Sequence, residues 1–174
     1  MAISGITEKI NSLVITDVEN IQSTSNSVLK QFSKKSVPGA YVCLNRPQHA
    51  VKNILRKENI DFKNILFIDC ISSALISVAE EENVTHISNP ADLTGLSIAI
   101  SEFIKSVNHD KFIMIDALGT LLIYNHEEIV LKFIRCVLEE CSETDCTAIM
   151  ITPKTEDSSW INRIIPFFDN IVHL

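Results

Sequence analysis

Residues 92–125 read DLTGLSIAISEFIKSVNHDKFIMIDALGTLLIYN. Leu93, Leu96, Ile100, Phe103 and Ile104 recur at helical spacing, which predicts a helix over about 92–107 with one apolar face. After a polar break, KFIMID (111–116) is an unbroken apolar run of strand length that ends on an acid. A strand that is apolar at every position, rather than at alternate ones, must be covered on both faces. A helix leading into such a strand is the repeating unit of a parallel sheet clothed by helices.

The pattern repeats outward in both directions. SLVIT (12–16), AYVCL (40–44), NILFID (64–69), VTHIS (84–88) and TAIMIT (147–152) read as strands, and the tail 167–174 as a last, edge strand. Helices are expected over 24–35, over 47–59 with Pro47 in the first turn, and over 127–140. The last of these would bury Ile129, Val130, Phe133, Ile134, Val137 and Leu138. A short helix is expected after the third strand, ending in the acidic run Glu80-Glu81-Glu82. The fold class is α/β: three α/β/α layers around a mostly parallel sheet, forming one domain over 1–174.

Composition bounds the function. The 174 residues are 46% hydrophobic and 21% charged, enough to bury a real core. A net charge of −7 argues against nucleic acid or an anionic membrane as partner. No apolar run reaches the roughly 18 residues of a membrane span. The five cysteines form no CxxC pair, and no leader peptide is visible, so reduced thiols and a cytoplasmic location are expected. Cys136, Cys141 and Cys146 are spaced by five, about 140° apart on a helix, and are not expected to form a metal site.

In an open parallel sheet, ligands bind beyond the carboxyl ends of the strands. Asp17, Asn45, Arg46, Asp69, Asp116, Thr152 and Lys154 fall there. Asp69 and Asp116 in one crevice could hold hydrated Mg²⁺. The plainer alternative is that they are solvated or cap turns.

The order of elements resembles the RecA-like core of the KaiC family of P-loop ATPases, especially its archaeal members. The likeness is best over DLTGLSIAISEFIKS, KFIMIDALGTLLIYN and the following helix with Leu131-Lys132-Phe133. It implies a RecA-like P-loop NTPase fold, with Asp116 at the Walker B position. It also implies assembly into homo- or hetero-oligomers with protein partners.

The phosphate loop itself departs from the family. A working loop reads GxxxxGK[ST], in which glycine backbone wraps the phosphates, lysine reaches them and the hydroxyl holds Mg²⁺. The matching octet is ENIQSTSN (19–26): Glu19 and Thr24 replace the glycines, Ser25 the lysine and Asn26 the hydroxyl ligand. The family's water-activating glutamate would fall at Leu44-Asn45-Arg46-Pro47, which offers no general base. ATP hydrolysis is therefore not expected, and no cofactor is assigned. Asp69, Asp116, Ser23, Thr24 and Ser25 remain as a vestigial ligand site. The three hydroxyl residues sit where a helix start could bind an anion, although plain N-capping explains them better.

The sequence thus predicts a non-catalytic RecA/KaiC-like protein with a regulatory, scaffold or assembly role, with signal transduction as the process. The alternative is a divergent Mg²⁺-dependent nucleotide-binding enzyme using Asp116 and Asp69, with Lys154 as its cation. Two other likenesses are set aside. DALGTLL (116–122) resembles the haloacid dehalogenase signature, but Leu118 replaces its second acid. A receiver domain with Asp69 as phosphoacceptor would have fewer elements. His126-Glu127-Glu128 is expected to open a helix rather than to form a catalytic pair. The late cluster of Trp160, Ile161, Ile164, Ile165, Phe167 and Phe168 is expected in the core.

Overall fold

The computed structural model describes residues 3, 5–72, 82–155 and 159–174. Every residue of β1 (Ser12–Thr16), β2 (Gly39–Cys43) and β5 (Lys111–Ile115) is buried, as their unbroken apolar runs require. With β3 (Ile65–Asp69), β4 (Val84–His86), β6 (Cys146–Pro153) and β7 (Asn170–His173), they form a sheet in the order β4-β3-β2-β5-β6-β1-β7. All pairings are parallel, so the carboxyl ends of the strands share one rim.

Alternate side chains of each strand enter two separate cores. On one face, α1 (Ile21–Ser33) and α2 (Gln48–Lys57) lay Val28, Leu29, Phe32, Val51 and Leu55 on Val14, Tyr41, Phe67, Phe112 and Ile151. On the other, α3 (Leu93–Ser106), α5 (Glu127–Ser142) and α6 (Ser159–Ile164) cover Leu13, Val42, Ile113 and Met150. The short α4 (Leu121–Tyr124) joins this second layer through Leu121. No helix among the described residues is long and apolar enough to cross a membrane.

Several boundaries differ from expectation. α1 begins at Ile21, three residues early, after a 3-10 turn over Val18–Asn20. Ile129 is exposed rather than buried, because the apolar stripe of α5 starts at Val130 and runs through Leu131, Phe133, Ile134, Val137, Leu138 and Cys141. α6 was not anticipated, being only six residues long, but its Trp160, Ile161 and Ile164 do enter the core. The short helix expected to end in residues 80–82 falls largely on 73–81, outside the described residues.

Asn11, just ahead of β1, ties the rim opposite the carboxyl ends. Its Oδ1 accepts from the Ala148 amide at 2.9 Å, and its Nδ2 donates to Ser142 Oγ at 3.0 Å. The Asn11 backbone carbonyl accepts from Asp169 and Asn170 at 3.0 and 3.2 Å. Since the side chain is 4% exposed, Asn11→Ala would strand a buried amide. It is expected to cost about 2 kcal/mol in urea unfolding.

Candidate functional site

Asp116 directly follows β5 and turns its carboxyl toward the face covered by α1 and α2, in phase with Phe112 and Met114. Tyr41, in the middle of β2, faces the same way. Its hydroxyl donates to Asp116 Oδ2 at 2.6 Å. The phenol is wholly buried and Asp116 is 5% exposed. The second oxygen, Oδ1, meets no hydrogen-bond partner among the described residues.

Burial pushes the Asp116 pKa up to about 6. The Tyr41 hydroxyl, the nearby amides of Leu44 and Asp116 and the Arg46 guanidinium pull the other way without reversing it. Burial likewise drives the Tyr41 phenol well above its ordinary value, helped by the Asp116 charge and opposed by the Ser25 hydroxyl beside it. Ser25 belongs to α1, so α1, β2 and β5 meet at this one contact.

Asp69 lies two strands from Asp116 at the same level. β2 and β3 pair Cys43 with Asp69, and β2 and β5 pair Val42 with Ile115. The Cys43 thiol between the two acids is pushed well up by burial first, then by Asp116 and Asp69. Beyond Asp69, in register on β4, is His86, whose two ring nitrogens are buried and meet no hydrogen-bond partner among the described residues. Among the described residues no group of three or more His, Cys, Asp and Glu side chains is arranged to hold a metal ion.

The two acids differ in what they hold. Asp69 Oδ1 accepts from the amides of Ile71 and Ser72 at 2.8 and 3.0 Å. Its Oδ2 accepts from the Gln48 amide at 2.9 Å and from the Ser72 hydroxyl. Burial alone would raise this carboxyl, but the four hydrogen bonds hold it below the usual range. Asp69 therefore caps the turn after β3 and steadies the start of α2, the plainer of the two roles the sequence allowed.

Ser23, Thr24 and Ser25 do not cap the helix: they are the third to fifth residues of α1. They lie inside α1, where Ser23 Oγ donates to the Asn20 carbonyl and Ser25 Oγ to the Ile21 carbonyl, both at 2.9 Å. Hydroxyls within a helix bond back to the preceding turn, so the expected N-capping is corrected. Asn20 occupies the cap position without a side-chain cap bond.

At the remaining strand ends, Asn45 accepts from the Thr120 hydroxyl. Lys154 pairs with Asp17 at 3.4 Å, exposed to solvent, rather than with Asp69 or Asp116. Glu127 and Glu128 pair with Arg163 rather than with His126. Thr16 and Thr152 leave buried hydroxyl oxygens unpaired. Tyr41 and Cys43 went unnoticed in the sequence because they sit inside an apolar strand. The available signal was Tyr41 itself, since a buried phenol needs a polar partner.

A seven-stranded parallel sheet between two helical layers, with Asp116 closing β5, is the RecA-like α/β fold. A KaiC-like protein from the hyperthermophilic archaeon Pyrococcus horikoshii superposes with a TM-score of 0.72 at 14% identity, covering 98% of this chain and 74% of its own. An uncharacterized Pyrococcus horikoshii protein, solved in complex with an unknown peptide, gives 0.71 at 10% identity, covering 97% and 78%. No curated protein matches the chain. The chain belongs to a family of unknown function, DUF7504, whose model matches residues 16–174.

Proposed function

We propose that this chain is a RecA/KaiC-like protein that has lost ATP hydrolysis and works through protein–protein contacts in a regulatory, scaffold or assembly role. The observation that carries this reading is the buried Tyr41–Asp116 hydrogen bond. In a working site the Walker B carboxylate faces a hydrated cation. Here an oxygen of that carboxylate is taken by the protein's own phenol, with Ser25 packed beside it. The residues present do not fit a magnesium nucleotide. The Ser23 and Ser25 hydroxyls bond back to the Asn20 and Ile21 carbonyls, no lysine stands among residues 19–26, and Asp69 spends both oxygens on backbone and Ser72.

Surface chemistry supports contact with other polypeptides. Ile98, Ile123, Tyr124 and Ile129 are all exposed on α3, α4 and α5, within a single layer of the fold. The peptide held by one solved neighbour favours a polypeptide partner here too. The competing reading, an enzyme using Asp116 and Asp69 with Mg²⁺, draws on the unpaired Asp116 Oδ1 and leaves Asp69 no free oxygen to contribute.

Titration calorimetry with ATP and Mg²⁺, paired with a phosphate-release assay, separates the two. The expected result is no binding heat and no release above the blank. Saturable binding with turnover that disappears in Asp116→Ala would overturn the proposal in favour of the enzyme.

A further inference from the structure

Cys141 ends the apolar stripe of α5 and Cys146 opens β6. The turn between them is held by Thr144 N–H donating to the Cys141 carbonyl at 3.2 Å and Cys146 N–H donating to the Thr144 carbonyl at 2.7 Å. It brings the two sulfurs to 3.4 Å. That is contact distance, against the roughly 2 Å of a disulfide bond. Cys141 is fully buried and Cys146 is 3% exposed, beneath the exposed residues 142–145.

A third group completes the cluster. Lys111 pairs with Cys146 across the sheet, is 4% exposed, and donates from Nζ to the His109 carbonyl at 3.1 Å. Contact with Cys146 and burial raise the Cys141 thiol, and the Lys111 charge opposes them. A cation beside a thiol is a recognised means of favouring the thiolate.

We propose that Cys141 and Cys146 are a reversible disulfide site, oxidised by a low-molecular-weight disulfide, with Lys111 as the positioning cation. Cys146, the nearer to solvent, gives up its proton to water and attacks one sulfur of the small disulfide. The S–S bond breaks and one small thiolate leaves, to be protonated. Cys141 then loses its proton and attacks the Cys146 sulfur, displacing the second small thiolate. The two protein thiols are oxidised and the small disulfide is reduced to two thiols. The new bond clamps the end of α5 to the start of β6.

The test uses the full chain carrying Cys136→Ser, which removes the one exposed cysteine and leaves four of the five. After incubation with oxidised glutathione, two of the four thiols should vanish from a count made in denaturant. The intact mass should fall by two hydrogens, and a peptide should link 141 with 146. Dithiothreitol should restore all four thiols. The oxidised form should melt higher by roughly 5 °C. Lys111→Met should slow oxidation about tenfold and displace its pH profile upward. Four surviving thiols, a stable glutathione adduct, or a link between Cys43 and Cys70 would each overturn the assignment. So would an unchanged rate and pH profile in Lys111→Met, as regards the lysine.

Discussion

Asp116→Asn is expected to stabilise the protein by about 2–3 kcal/mol at pH 8 and to leave it nearly unchanged at pH 4. The folded carboxyl titrates at about 6, against 3.8 for an ordinary aspartate. Between those values the folded state holds a proton that the unfolded chain has released, so stability falls as pH rises through the window. Above it, the native protein keeps a buried charge at full cost; below pH 4 the acid is neutral in both states. Asparagine is neutral throughout and can still accept from the Tyr41 hydroxyl. Urea midpoints for the two proteins, taken at half-unit steps of pH, should coincide at the acid end and diverge above it. Curves that remain parallel would mean that Asp116 is ionised and compensated in the folded state.

The second large effect is steric. Gly39→Ala should destabilise by about 3 kcal/mol. A Cβ at Gly39 would lie 2.2 Å from Phe112 Cζ and 2.3 Å from Cε1. The ring has nowhere to go: it is wholly buried and tilted against Phe32 at 4.5 Å between centroids. Glycine is thus required on β2 by the close approach of a neighbouring strand's ring. Trimming the ring with Phe112→Leu in the same chain should recover part of the loss. The double variant should then be more stable than the two single costs predict. Simple additivity in thermal or urea unfolding would place the strain elsewhere.

The layered architecture was legible because it follows from local pattern. The run from Phe112 to Ile115 has no polar interruption, and nothing but coverage on both faces accommodates it. β1 fell at its predicted limits for the same reason. The beginning of α1 was misplaced because Ser23, Thr24 and Ser25 are common caps, and whether a hydroxyl bonds forward or backward depends on where the helix begins. The candidate site was half legible. Asp116 could be found from its place after an apolar strand, but Tyr41 reaches it only because β2 and β5 are neighbours, a fact of topology. Cys141 and Cys146 were judged by the geometry of one continuous helix. α5 stops at Ser142, and the reversal of the chain brings together what a helix would have kept apart.

The place of β1 in the sheet has a consequence for biosynthesis. Its neighbours are β6 and β7, which lie far downstream of it in the chain. Leu13, Val14 and Ile15 must therefore wait, with their backbone amides unmatched, while more than a hundred further residues are translated. Folding cannot finish from the amino end forward. Slower folding than a chain of local contacts would allow is the consequence of where one short strand is inserted.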